Sequence, residues 1–184
     1  MAAKLNHTIV SARDGDASAL FLSEVLGVAP PIRLGPFALV TVGDQLTLDF
    51  MDTDGDIKSQ HYAFLVSETE FDQIFGRIEE RRLPYWADPH QTKPGQINHW
   101  DDGRGVYFED PNGHLLEILT RSYGSAGTVA QNPHPLIAER VEPKEQDKGR
   151  PSGGKPNGNA AHVLPADYTP ESEKLRLKLQ EARQ

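Results

Sequence analysis

One order of apolar patterns runs twice along the chain. The first copy opens with 5-LNHTIVSA-12, whose β-branched residues suit a strand. Next comes 16-DASALFLSEVLG-27, where Ala17, Leu20, Phe21 and Val25 fall on one face and Gly27 ends the run, predicting a short amphipathic helix. The runs 37-FALVTV-42 and 46-LTLDFMD-52, joined by Gly43-Asp44, predict a hairpin. The second copy starts at 59-SQHYAFLV-66. Its helix carries a capping signature, Ser67 with Glu70, ahead of Phe71, Ile74, Phe75 and Ile78. A second hairpin follows, 105-GVYFED-110 and 115-LLEILT-120 around Pro111-Asn112-Gly113.

The copies align with offsets of 54 at the opening strands (His7 to His61) and 68 at the closing hairpins (Asp49 to Glu117). The surplus residues fall mainly in 87-ADPHQTKPGQINHWDDG-103. Such a repeat predicts an α+β fold of paired β-α-β-β-β modules, over about 4–54 and 58–124, curled as a mixed sheet around a shared cleft. The long second-half loop is then a candidate wall or lid for that cleft.

Composition changes the picture after residue 124. The chain has 2 Trp, 5 Tyr and 7 Phe, and only Tyr168 lies beyond Tyr123. With so few large apolar groups, 125–168 is expected to be a flexible linker. A short helix is expected over 169–184, with Thr169 as cap and Leu175, Leu179 and Ala182 on one face. A formal charge of −8 argues against nucleic acid as partner. The lack of cysteine excludes disulfides, thiolate metal sites and cysteine nucleophiles. No apolar run has the length of a membrane span, and the N-terminus lacks a secretory h-region, so a cytoplasmic protein without a membrane partner is expected.

The repeat also carries the chemistry. His7, Asp49, His61 and Glu117 each interrupt an otherwise apolar strand, and the two histidines and two carboxylates occupy equivalent positions. A pseudo-twofold would bring them together. Two imidazoles and a carboxylate with open positions suit divalent Fe, Mn, Zn or Ni, the facial arrangement favouring Fe(II). His90 and His114 read as surface residues, while Trp86 and Trp100, flanking the loop, are candidates to stack on a planar substrate. His134 sits in the tail and receives no role.

Over residues 4–124 the sequence resembles the vicinal oxygen chelate superfamily of glyoxalases, extradiol dioxygenases, fosfomycin-resistance enzymes and bleomycin-binding proteins. The resemblance implies one divalent metal ion on His7, His61 and Glu117, with Asp49 at the place of a fourth ligand in glyoxalase-type members. The run 97-INHWDDGRGVYFEDPNGHLLE-117 resembles the extradiol dioxygenase signature, which implies catalytic roles for Tyr107 and His99. Position 46, where ring-cleaving members carry a histidine base, is leucine. The function implied is a metal-dependent, dioxygenase-like enzyme acting with O2 on a small substrate that chelates through vicinal oxygens, assembled as a homodimer. The alternatives are a glyoxalase-type lyase or isomerase, or a metal-free drug- or metabolite-binding protein.

Overall fold

The first module begins where β-branched residues begin: β1 (His7–Ala12) leads into α1 (Gly15–Leu26). Asp14 caps this helix by accepting from the Ala17 N–H, and Gly27 closes it at φ 71°, a left-handed turn open to glycine at little cost. Strands β2 (Ile32–Leu34), β3 (Phe37–Val42) and β4 (Leu46–Asp52) complete the module. The second repeats the order with β5 (His61–Leu65), α2 (Glu68–Glu80), β6 (Tyr85–Trp86), β7 (Gly105–Glu109) and β8 (Leu115–Leu119). Ser67 and Glu70 form the reciprocal capping box that the sequence announces. The structure, a computed structural model, describes residues 3–126 and 130–138. The described residues lie in the first compact unit of the chain, Met1–Pro143, and the helix expected over 169–184 lies outside the described residues.

Each module forms one four-stranded mixed sheet, ordered β1-β4-β3-β2 and β5-β8-β7-β6. The registers coincide. β1 runs parallel to β4 with Ile9 opposite Asp49, and β5 runs parallel to β8 with Ala63 opposite Glu117. In the hairpins Leu39 faces Asp49 as Tyr107 faces Glu117. The paired α+β modules are therefore as the pattern predicts. The two sheets, however, do not close into one curled sheet around a shared cleft.

Alternation along the strands explains this. Val10, Leu48 and Phe50 of the first module and Phe71, Val106, Phe108, Leu116 and Ile118 of the second share one buried apolar cluster. The intervening strand residues, which include all four candidate ligands, face away from it. His114 seals the seam between modules. It is buried, accepts at Nδ1 from the Gln60 N–H (3.1 Å) and donates from Nε2 to the Ser11 carbonyl (2.9 Å). The surface position expected for it is wrong, because a partner more than 100 residues away in sequence draws it inward.

A second departure concerns residues 130–138, within the stretch expected to be linker. They belong to the first compact unit, include α3 (Pro135–Ala138), and bury His134 to 4% exposure. The hydrogen bonds come from a loop: the Asp102 carboxylate accepts from the Gln131 and Asn132 N–H groups, and the Asp101 N–H donates to the Asn132 carbonyl. A single aromatic-size ring and a loop supply what the composition lacks.

Candidate functional site

Parallel pairing of β5 with β8 places His61 and Glu117 on one sheet face, two residues apart in register. The side chains meet, with His61 Nε2 donating to Glu117 Oε2 at 3.0 Å. Glu117 is 1% exposed while the His61 side chain is 40% exposed, so the pair runs from the protein interior to its surface. A buried carboxylate needs such partners, since leaving it unpaired would be costly.

Two tyrosines complete the group. Tyr107, directly across from Glu117 on β7, is 1% exposed and meets the His61 ring edge-on at 5.8 Å. Tyr123, beyond β8, donates its hydroxyl to Glu117 Oε2 at 2.7 Å. Because its one proton is spent there, the 3.1 Å contact between the two phenols has Tyr107 as donor. Burial, followed by the bond to Tyr123 and the Glu117 charge, pushes the Tyr107 phenol far above its ordinary value. Burial likewise raises Tyr123, to about 12, with the Glu117 bond and charge adding to it and the bond from Tyr107 opposing. Both phenols therefore keep their protons at neutral pH. They form a relay of donors ending on one carboxylate oxygen.

The other candidates lie elsewhere. His7 is exposed and its Nδ1 pairs with the Asn6 side chain (2.9 Å). Asp49 does not reach His7; its Oδ1 is buried and has no hydrogen-bond partner among the described residues. His99 is exposed on its loop and donates from Nδ1 to the Gly103 carbonyl (3.2 Å). Among the described residues no three His, Asp or Glu side chains gather closely enough to hold a metal ion. The convergence of His7, His61 and Glu117 within one chain, expected from the repeat, is thus not found; the two sheet faces point outward from a common core. Of the loop residues, Trp100 packs against Tyr107 (6.2 Å) and His134 (4.7 Å). Sequence reasoning passed over Tyr123 and His134, which have no counterpart in the repeat.

A family model described as the Glyoxalase/Bleomycin resistance protein/Dioxygenase superfamily matches residues 4–118. The chain belongs to this superfamily. As a member it is 31% identical, over 124 residues, to the Glutathione transferase FosA of Serratia marcescens, covering 64% of this chain and 81% of that protein. Among solved structures it is 59% identical to the Oxidase ChaP-H1, with a TM-score of 0.66, covering 67% of this chain and 99% of that one. The Oxidase ChaP-H2 gives 59% identity and a TM-score of 0.67, covering 69% and 100%. Superfamily members include enzymes and use small-molecule substrates and divalent metals. No helix among the described residues is long and apolar enough to cross a membrane.

Proposed function

We propose that the protein is a metal-dependent oxygenase of the superfamily, acting on a small substrate that chelates the metal through two vicinal oxygens. The contact between His61 Nε2 and Glu117 Oε2 carries this reading: two ligand-type atoms lie 3.0 Å apart on a rigid strand pair, with the carboxylate buried. An imidazole and a carboxylate are donors that suit divalent Fe, Mn, Zn or Ni, and Fe(II) with O2 suits the preferred chemistry. One chain supplies two such ligands. The third, His7, comes in this reading from a second copy whose first module lies against this second module, making the homodimer the working unit. Ile9 (48% exposed) on the His7 face and Leu65 (62% exposed) on the His61 face offer apolar surface for that contact. The unpartnered Oδ1 of Asp49 would arrive with His7 as a fourth donor.

When bound, the ion supplies Lewis acidity and a template for the two substrate oxygens. The chain's own groups then orient the substrate. Tyr107, kept protonated by its burial, donates to a substrate oxygen once its hydroxyl turns from Tyr123. Trp100, beside Tyr107, offers a flat wall to a planar ring. His99 enters as an acid–base group only if its loop turns it from Gly103. Ring cleavage of a catechol by O2 puts both oxygen atoms into the product and needs no external reductant. The 59% identity to a solved oxidase over nearly its whole length supports oxidation over the thiol transfer of the more distant relatives.

Anaerobic loading with Fe(II), followed by catechol-type substrates and air, tests this. Equal consumption of O2 and substrate, yellow ring-fission products and their loss in His61→Ala are expected. Turnover of hemithioacetals under nitrogen would instead place the protein with the lyases, and glutathione addition without O2 with the transferases.

A further inference from the structure

Asp101 and Asp102 both hold left-handed backbone, at φ 54° and 58°. Two consecutive residues with side chains in that region are uncommon, and here each earns a definite contact. Asp101, 2% exposed, turns its carboxylate back to accept from the Gly124 N–H at 2.8 Å. Asp102 accepts from the Gln131 and Asn132 N–H groups at 3.0 and 2.9 Å. The doubled turn therefore grips the chain in two places after β8. Gly124 is the neighbour of Tyr123, and Asn132 lies two residues before His134.

Between those grips the rings interlock. The His134 ring packs on Tyr123 at 4.2 Å and edge-on to Trp100 at 4.7 Å. The Tyr123 hydroxyl is held between Tyr107 (3.1 Å) and Glu117 Oε2 (2.7 Å). Tyr123 is 46% exposed, so burial alone does not fix its ring. Its backbone, ring face and hydroxyl are fixed by three separate partners, and all of that restraint ends on one carboxylate oxygen.

We propose that Tyr123 is a positioning residue of the metal centre, which Asp101, Asp102 and His134 hold against the Glu117 carboxylate so that this ligand is oriented before an ion arrives. The inference rests on the assignment of His61 and Glu117 as ligands under Proposed function. A carboxylate ligand that keeps a hydrogen-bond donor has its rotation restricted and its charge partly balanced, and losing such an outer partner typically weakens metal binding about 10–100-fold. Tyr123 acts through Glu117 and takes no part as a ligand.

The test uses the full chain, stripped of metal and titrated with Co(II) alone, with binding read by competition and by visible absorption. Tyr123→Phe keeps the ring and removes the donor; it is expected to weaken Co(II) binding about 10–100-fold and to shift the cobalt bands. Asp102→Ala loosens the grip at 131–132 without touching Tyr123, and is expected to act in the same direction by a smaller factor. Thermal unfolding of the metal-free variants, close to that of the parent, separates positioning from general support, since a purely structural role would leave the cobalt spectrum unchanged. If both variants bind Co(II) with parental affinity and spectrum while His61→Ala loses it, the inference fails and the ligand assignment stands. If the parent protein takes up no Co(II), the ligand assignment fails and the inference with it.

Discussion

At the scale of single residues, the contrast between His61 and His114 is instructive. Both precede apolar strand residues in the second module, yet one faces outward to Glu117 and the other inward to Ser11. The pairing of His61 with Glu117 was legible because both residues hold marked positions in a repeat. His114 was not, because its partner lies 103 residues away and no local pattern encodes that distance. Removing the ring tests its structural part. His114→Leu keeps bulk but orphans the Gln60 N–H and cuts the tie to Ser11, and should lower stability by about 1–3 kcal/mol. A urea unfolding curve checks this, and an unchanged midpoint would show that the seam holds without it. Tyr123 was illegible for a related reason: its value comes from Glu117, Asp101 and His134, three neighbours brought together only by folding.

Elements with periodic signals emerged from the sequence with close bounds; those defined by pairing did not. The Ser67–Glu70 box and the Gly27 terminus fix the two helices. The edge strands Ile32–Leu34 and Tyr85–Trp86 are three and two residues long, too short for alternation to register. The long loop gains its shape from Asp88, whose carboxylate accepts from the N–H groups of His90, Thr92 and Lys93. Burial works against the Asp88 charge, but the bonds from Thr92, Lys93 and His90 outweigh it and hold the carboxyl below its ordinary value. A carboxyl lowered in the folded state stabilises fully above the ordinary pKa of about 4 and loses that contribution as pH falls through the lower native value. The protection factors of the Thr92 and Lys93 amides should therefore fall on acidification below about 4. In Asp88→Asn the same amides should exchange faster at neutral pH and show no such step; a step that persists would assign it to another group.

For the whole molecule, the two sheet faces that carry the candidate ligands turn outward from a common core. The pattern foresaw two modules and their equivalence, and the matching registers of β1 with β4 and β5 with β8 repeat that equivalence. It could not foresee which faces the modules would turn toward each other, since amphipathic strands allow either choice until the helices are packed. If one copy lends His7 and the other His61 and Glu117, then His7→Ala and His61→Ala each abolish every site in their own dimers. Mixed dimers would regain one intact site of two. Co-expression of differently tagged chains and metal analysis of the mixed species reads this directly. Failure to recover any metal would exclude a shared site.

The matched registers have one more consequence. Leu39 stands where Tyr107 stands, and Asp49 where Glu117 does, on backbones that pair alike. At those two matched positions the second module has a phenol and one carbon of reach that the first lacks. Asp49→Glu, with Leu39→Tyr beside it, asks whether those atoms alone give the first module a carboxylate–phenol pair like that of the second.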